Sequence, residues 1–321
     1  MSAGDQVQAL VAREEEPAGV GKRLLALEGE DLRRGQQQRF DRFIGNGRVL
    51  PLRANRAAAP DFAVCNAAVN YILDRGFATF PNFQDGFVSS LNFIGGEKGG
   101  VGKSVAARVL AQYFIDRGRG FTGYDTDRSH TSFTRFYGDY AAPVLVDSFE
   151  SLDRIVAAFE EGAHGGAQES VIVDLAAQTA APLAKWVKDS DLLSLLAQIG
   201  VSVNFWHLTD AGKDSVDLLD RLINTYGAGP NYFVVRNLGR GSEFSQLDES
   251  PALRKALSLG ARVFDLPALH EASMRKIDRA NASFWAAIHN RATPDALGML
   301  ERQRVKMWLK ATYETLDTLP L

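Results

Sequence analysis

Residues 95–104 read Gly-Gly-Glu-Lys-Gly-Gly-Val-Gly-Lys-Ser, a glycine-rich stretch that carries two lysines. Glycine has no Cβ, so it lets backbone N–H groups approach an anion closely and tolerates positive φ. Lys103 adds a positive charge, and Ser104 adds a hydroxyl that can ligate Mg²⁺. The stretch departs from the usual G-x-x-x-x-G-K-[ST] pattern because Glu97 replaces the first glycine and Lys98 is an additional lysine. These features predict a phosphate-binding loop of an unusual kind.

The residues on either side of the loop predict a strand before it and a helix after it. Residues 91–94 (Leu-Asn-Phe-Ile) form a short apolar run that is typical of a buried parallel strand. From Ser104 onward apolar residues recur at helical spacing, and Gly118 and Gly120 end this pattern. A helix that begins at the loop places bound phosphates at its N-terminus, where the helix dipole favours negative charge.

Beyond the loop, strand-like and helix-like segments alternate along the chain. The candidate strands are residues 91–95, 121–125, 143–147, 170–174, 201–207, 232–237 and 262–266. This alternation predicts an α/β fold with a doubly wound, mostly parallel sheet. In such sheets ligands bind outside the carboxyl ends of the strands, so polar residues at those ends are the candidates for a site.

The segment Lys98-Gly99-Gly100-Val101-Gly102-Lys103-Ser104 resembles the deviant Walker A sequence of the ParA/MinD ATPases. The resemblance implies a P-loop NTPase fold that binds ATP with Mg²⁺. It implies that Lys103 neutralises phosphate oxygens within its own chain, whereas Lys98 reaches the partner's phosphates across a nucleotide-dependent homodimer. The nucleotide-binding residues that it implies are Gly99, Gly100, Val101, Gly102, Lys103, Ser104 and Val105.

Two further strand ends carry carboxylates. Asp125 and Asp127 lie at the end of the second candidate strand at a spacing that can place both on the same side, and Asp174 ends the apolar run 170–174. The resemblance assigns Asp125 to the Mg²⁺ shell and Asp127 to orientation of the attacking water. It assigns Asp174 to Mg²⁺, through a water or Ser104. The alternative for residues 125–127 is a solvated, aspartate-rich turn.

The loop after Asp174 differs from the family pattern. Many ParA proteins continue with Asp-x-Pro and then a glycine, whereas this chain reads Leu-Ala-Ala-Gln at 175–178. The departure concerns the family's usual motion at this loop and leaves the metal role of Asp174 in place. A nucleotide-binding scaffold with little hydrolysis is therefore an alternative function.

The strand 232–237 ends at Asn237, whose amide offers both a donor and an acceptor. Related ATPases place an asparagine here against the adenine base, so Asn237 is the candidate base-binding residue. The alternative is an asparagine that caps the loop before Gly239.

Weaker matches over residues 90–315 resemble the TraL/StbB-like branch of conjugal-transfer and plasmid-stabilisation proteins. They include Gln112-Tyr113, residues 125–127, the Asp174 strand, residues 233–237 and the basic run 302–306. The resemblance implies a slow, partner-stimulated ATPase that positions DNA in plasmid partition or conjugation, or another cargo. The partners that it implies are a second copy of the chain, an adaptor or cargo protein, and non-specifically bound DNA.

The composition of the chain excludes several kinds of site and suggests its location. The chain has 321 residues, a formal net charge of −3 and a single cysteine, Cys65, which excludes an intramolecular disulfide and a cysteine-rich metal site. No apolar run of membrane-spanning length occurs, and we expect a cytoplasmic location. We expect a flexible polar extension over 1–60, a helical linker or docking segment over 61–88 and the ATPase domain over 89–321.

Residues 296–319 predict a helix with Leu297, Leu300, Val305, Trp308, Leu309, Thr312 and Leu316 on one face. The favoured interpretation is a helix that packs on the sheet and exposes its basic face. The alternative is a MinD-like positioning ATPase that lies on a membrane through this helix.

Overall fold

The computed structural model describes residues 89–165, 169–291 and 295–321. The chain divides into two units, residues 1–85 and 86–321, and the described residues all belong to the second. The expected flexible extension 1–60 and helical linker 61–88 lie outside the described residues.

The second unit is built around a parallel sheet of seven described strands. They are β1 (Ser90–Gly95), β2 (Phe121–Asp125), β3 (Ala141–Pro143), β4 (Ser170–Asp174), β5 (Ser202–Thr209), β6 (Asn231–Asn237) and β7 (Arg262–Leu266). Their order across the sheet is β3-β2-β4-β1-β5-β6-β7, and each neighbouring pair is parallel. The predicted doubly wound α/β fold is therefore confirmed, with a wholly rather than mostly parallel sheet.

The third strand lies earlier in the chain than the predicted range 143–147. β3 pairs with β2 only up to the partners Pro143 and Asp125, where β2 ends. The N–H of Val144 still donates to the carbonyl of Asp125 at 2.9 Å, and the Val144 side chain is buried. Residues 144–147 are apolar enough to suggest a strand, but the neighbouring strand extends no further to pair with them.

Helices cover both faces of the sheet. Those in the described residues are α1 (Lys103–Asp116), α2 (Ser132–Tyr137), α3 (Phe149–Gly165), α4 (Ala180–Asp189), α5 (Leu192–Gln198), α6 (Lys213–Tyr226), α7 (Ser245–Asp248), α8 (Pro251–Ser258), α9 (Glu271–Arg279), α10 (Phe284–His289) and α11 (Met299–Leu316).

Two apolar cores result, one on each face, because successive strand residues point to opposite sides. Leu91 and Phe93 of β1 belong to the core that contains Trp186 of α4. Ile94 belongs to the other core, which contains Phe114 of α1 and Val305 of α11. Burial on both faces explains why the strands read as apolar runs rather than as alternating patterns.

The last helix, α11, packs against the fold as the favoured interpretation predicted. Val305, Trp308 and Leu309 are buried, and the indole N–H of Trp308 donates to the carbonyl of Pro267 at 2.6 Å. The hydroxyl of Tyr313 donates to the carboxylate of Asp116 on α1 at 2.8 Å. Within the described part of the chain, no helix combines the length and the apolar character needed to cross a membrane.

The close approach of β2 to β3 makes a stability prediction at Gly123. A Cβ added there would lie 2.8 Å from Cε1 of Phe133 and 2.9 Å from Cβ of Ala141. We expect Gly123→Ala to lower the free energy of unfolding by about 2 kcal/mol because this core is overpacked by the added methyl. Urea denaturation followed by circular dichroism measures the change.

Gly120→Ala is the matched control, because a Cβ at Gly120 meets nothing within 4 Å. We expect this control to be neutral or stabilising by about 0.5 kcal/mol. Equal unfolding midpoints for the two variants would contradict the packing argument.

Candidate functional site

Three loops meet at the carboxyl edge of the sheet because β4 lies between β1 and β2. Asp174 at the end of β4 is in register with Ile94 of β1 on one side and with Asp125 of β2 on the other. The glycine-rich loop after β1, the aspartates of the β2 loop and the end of β4 are therefore neighbours, as the strand pattern predicts.

The backbone of the glycine-rich loop depends on glycine at particular positions. Gly96, Gly100 and Gly102 have φ of 133°, 76° and 100°, a region that side chains other than glycine rarely adopt. A Cβ added at Gly99 or Gly100 would meet nothing within 4 Å, so the space above these two residues is open. This open cradle of backbone groups suits an anion such as phosphate.

The other predicted residues of the loop divide between the core and the site. The side chain of Val101 is buried in the core, and Val105 packs partly against it, so only their backbone groups are available to a ligand. Ser104 lies in the first turn of α1, where its hydroxyl is near Asp174. α1 begins at Lys103, so its N-terminus faces the cradle.

Lys103 lies folded into the loop. Its side chain is buried, and Nζ donates to the carbonyl oxygen of Lys98 at 2.8 Å. Burial lowers the pKa of Lys103, while the charges of Asp174 and Asp127 act in the opposite direction. Lys103 thus shares one electrostatic environment with the two carboxylates that the sequence assigned to the site.

Asp174 is buried, and neither carboxylate oxygen has a hydrogen-bond partner among the described residues. Burial raises the pKa of Asp174 to about 7, against the nearby Ser104 hydroxyl and the Lys103 charge. A buried carboxylate without a donor fits a cation or its bound water, so Asp174 and Ser104 fit the predicted Mg²⁺.

The described residues contain no group of three or more His, Cys, Asp or Glu side chains placed to hold a metal on their own.

Asp125 has contacts of a structural kind. One oxygen accepts from the N–H groups of Phe133 and Thr134 at 2.8 and 3.0 Å, and the other accepts from the N–H of Asp127 at 3.0 Å. The carboxylate therefore stabilises the start of α2. Its predicted place in the Mg²⁺ shell stays a prediction, and would use the lone pairs that these bonds leave.

Asp127 lies at the surface of the site with its side chain 33% exposed. Its Oδ1 accepts from the N–H groups of Ser129 and His130 at 2.8 and 3.1 Å. Partial burial raises the pKa of Asp127, but these N–H groups outweigh it and hold the pKa below its ordinary value. An ionised, oriented carboxylate can accept a hydrogen bond from water, which is what the predicted role requires.

Thr126 joins two of the loops, although it was not among the predicted site residues. Its Oγ1 donates to the carbonyl of Asp174 at 3.0 Å and accepts from the N–H of Ala176 at 2.7 Å. The N–H of Thr126 also donates to the carbonyl of Asp174 at 3.0 Å. The loop that carries Asp127 is therefore fastened to the loop that follows β4.

Asn237 contacts the glycine-rich loop. Its Nδ2 donates to the carbonyl of Val101 at 2.7 Å, and its Oδ1 accepts from the N–H of Gly239 at 3.0 Å. A Cβ at Gly102 would lie 2.3 Å from this Nδ2, so Gly102 is required by space as well as by φ. The bond to Gly239 matches the loop-capping alternative, and the adenine contact stays a prediction.

Lys98 pairs with Asp210 of the loop after β5. Nζ of Lys98 lies 2.8 Å from Oδ2 of Asp210 and 3.7 Å from Asp214. Asp210 was missed from the sequence, although it follows a strand end in the same way as the aspartates that were found.

The backbone at Gln178 has φ of 66°, although this residue is not glycine. Gln178 lies in the loop that lacks the family's proline and glycine, four residues after Asp174. The left-handed conformation is thus present without the residue that adopts it most readily, at an energetic cost.

Comparisons with known proteins agree with the predicted resemblance. No family model matches the chain. The protein TraL from Escherichia coli is 24% identical over 243 residues, which cover 68% of this chain and 94% of TraL. The predicted resemblance to the TraL-containing, ParA/MinD-like group is thereby confirmed.

Two solved structures are similar in part. The MinD cell division protein of Aquifex aeolicus is 14% identical with a TM-score of 0.42, over 70% of this chain and 97% of that one. A ParA family ATPase from Chlorobium tepidum TLS is 13% identical with a TM-score of 0.41, over 70% of this chain and 99% of that one.

The strained backbone at Gln178 gives a testable consequence. We expect Gln178→Gly to raise the free energy of unfolding by about 1 kcal/mol, because glycine adopts positive φ without a clash. The neighbouring Ala177 lacks positive φ, so Ala177→Gly should instead lower it by about 0.5–1 kcal/mol. Urea denaturation measures both, and a change of the same sign in the two variants would refute the assignment of strain to Gln178.

The raised pKa of Asp174 predicts a pH-dependent stability in the absence of Mg²⁺ and nucleotide. The unfolded carboxyl ionises near pH 4 and the folded one near pH 7, so the unfolded state holds fewer protons in between. The free energy of unfolding should therefore fall as the pH rises from about 4 to 7. The fall should be on the order of 3 kcal/mol relative to Asp174→Asn, which lacks the ionisable group.

Thermal or urea unfolding of both proteins at several pH values measures this difference. Asp189→Asn is the control, since Asp189 lies exposed on α4 beside Lys185. Parallel pH profiles for wild type and Asp174→Asn would show that Asp174 is not buried in its charged form.

Proposed function

We propose that this protein is an ATP-dependent, dimerising ATPase of the ParA/MinD type that acts as a spatial switch. The observation that carries the proposal is the convergence of three features at one sheet edge. They are an open glycine cradle with Lys103 beside it, the buried and unpartnered carboxylate of Asp174, and the oriented carboxylate of Asp127.

Transfer of a phosphoryl group to water needs mainly positioning and charge neutralisation. In the proposed mechanism Lys103 exchanges the Lys98 carbonyl for phosphate oxygens, and the N-terminus of α1 faces the same charge. Ser104 and Asp174 would hold Mg²⁺, which would supply further positive charge when bound. Asp127 accepts a hydrogen bond from the attacking water and orients it.

In this proposal Lys98 does not bind the phosphates of the nucleotide in its own chain. Its Nζ pairs with Asp210, whereas Nζ of Lys103 donates to the carbonyl of Lys98 within the glycine-rich loop. We assign Lys98 to the phosphates of a second chain, so the working unit is a nucleotide-dependent homodimer that hydrolysis separates.

We propose that the dimer positions DNA in plasmid partition, stabilisation or conjugal transfer, with slow hydrolysis stimulated by an adaptor or cargo protein. The similarity to TraL supports this output. Several cations of the C-terminal half are already paired within the chain, among them Arg236 with Asp265 and Lys276 with Glu301. In this proposal, non-specific DNA binding uses a surface formed by the assembled dimer.

A nucleotide-binding scaffold with little hydrolysis is the second candidate. The observation that favours it is the loop after Asp174, which reads Leu-Ala-Ala-Gln and has a left-handed residue at Gln178. The membrane alternative is less favoured, because most of the apolar face of α11 is buried in its own fold.

Three alanine variants separate these functions. We expect Lys103→Ala to weaken ATP binding about tenfold or more, since a phosphate charge loses its partner. Lys98→Ala should bind ATP normally but dimerise only at much higher protein concentration and lose hydrolysis. Asp127→Ala should bind and dimerise but lose hydrolysis about 100-fold. A fluorescent ATP analogue, sedimentation and phosphate release measure the three properties.

Lys185→Ala, at an exposed position of α4, is the control and should match wild type in all three assays. Nucleotide binding by wild type without any hydrolysis, with DNA and a partner present, would rule out the switch and favour the scaffold. Absence of nucleotide binding would rule out both.

A further inference from the structure

A charged contact joins the glycine-rich loop to the loop after β5. Nζ of Lys98 lies 2.8 and 3.1 Å from the two carboxylate oxygens of Asp210, and 3.7 Å from Asp214 at the start of α6. Both carboxylates belong to the same chain as Lys98. In the proposed function Lys98 has to leave them in order to reach the phosphates of a second chain.

The acceptor in this contact is held in place by its own loop. Oδ1 of Asp210 accepts from the hydroxyl of Ser215 at 2.7 Å and from the N–H of Gly212 at 3.0 Å. These two bonds fix the carboxylate independently of Lys98. Asp210 and Lys98 therefore form a contact between a rigid acceptor and a long side chain that can move away.

Gly212 makes room for the lysine. A Cβ added at Gly212 would lie 2.8 Å from Nζ of Lys98 and 3.2 Å from Oδ1 of Asp210. Its φ of −92° and ψ of 151° are open to any residue, so backbone conformation does not require glycine here. The requirement is space for the ammonium group. We call Asp210, Gly212 and Ser215 the lysine dock.

The ion pair with Asp210 is strong enough to orient the Lys98 side chain and weak enough for Lys98 to exchange Asp210 for another anion. The side chains of Lys98 and Asp210 are 27% and 21% exposed, so water and salt screen the pair in part. The hydrogen bond from Lys98 to Asp210 and the charge of Asp210 raise the pKa of Lys98, which keeps it protonated in the dock. A nucleotide phosphate group offers more negative charge than one carboxylate and can compete for this ammonium.

We propose that Asp210 is a positioning residue that holds Lys98 within its own chain until two nucleotide-bound chains meet. The proposal rests on the proposed function of Lys98. It adds that the lysine dock and the partner's phosphates compete for Lys98, because Lys98 must leave the dock before the dimer can assemble. Weakening the dock should therefore favour the dimer.

The first experiment tests the dock without nucleotide. The amine of Lys98 in the full-length protein is acetylated with an N-hydroxysuccinimide ester. The rate of Lys98 acetylation is measured by mass spectrometry. Asp210→Asn keeps the size of the side chain and the acceptor for Ser215 but removes the charge. We expect acetylation of Lys98 about three times faster in Asp210→Asn than in wild type, and unchanged in Asp189→Asn. An unchanged rate in Asp210→Asn would overturn the dock, whatever the protein does with nucleotides.

The second experiment tests release. The protein concentration at half-maximal ATP-dependent dimerisation is measured by sedimentation for wild type, Asp210→Asn and Gly212→Ala. We expect both variants to assemble at concentrations about three- to fivefold lower, as expected for loss of a partly exposed ion pair. Gly212→Ala crowds the dock without changing any charge, and Asp189→Asn should behave as wild type.

The same comparison in the Lys98→Ala background shows whether Asp210 acts through Lys98. Residual assembly should then be unaffected by Asp210→Asn. Equal assembly by wild type and Asp210→Asn, or a shift that persists without Lys98, would overturn the proposal while leaving the ATPase function intact. Faster acetylation with no ATP-dependent dimer in any variant would instead overturn the proposed function, and the release step with it.

Discussion

Parallel pairing of β4 with β1 on one side and β2 on the other is the constraint on which the candidate site depends. It aligns Ile94, Asp174 and Asp125 in one row across the sheet. A slip of one residue in β4 would turn Asp174 to the opposite face of the sheet and separate it from Lys103. The apolar cores on both faces fix this register, because Val171, Ile172 and Val173 are all fully buried. Packing of these buried strand residues thus fixes the positions of the site residues at the edge of the sheet.

The carboxyl edge of the sheet also contains two features that destabilise the isolated chain. Asp174 is desolvated without a hydrogen-bond partner, and Gln178 adopts a backbone conformation that favours glycine. Each of these features costs stability in the isolated chain. Each also lies within a few residues of the glycine cradle, where a bound anion and cation would offset part of the cost. Local strain concentrated around one set of loops is typical of a binding site rather than of a purely structural core.

Local patterns in the sequence predicted the parts of the molecule that depend on local physics. The backbone of the glycine-rich loop, six strand positions and the carboxylates at strand ends follow from glycine, apolar runs and spacing. The end of β3 could not be predicted, because it is set by where β2 stops. The pairing of Lys98 with Asp210 joins residues 112 positions apart, and that of Asn237 with Val101 joins residues 136 apart. Such contacts appear only once the strand order is known. The positive φ of Gln178 was not predicted, because residues 175–178 contain no glycine.

The hydroxyl of Thr126 has a consequence for how information crosses the site. It bonds to the backbone on either side of Leu175, while the neighbouring Asp127 occupies the outer part of the same loop. These bonds join the chain after β4 to the loop that carries Asp127, so a displacement of one loop would move the other. A single hydroxyl oxygen, that of Thr126, thus ties the position of the exposed Asp127 to the backbone at the buried Asp174.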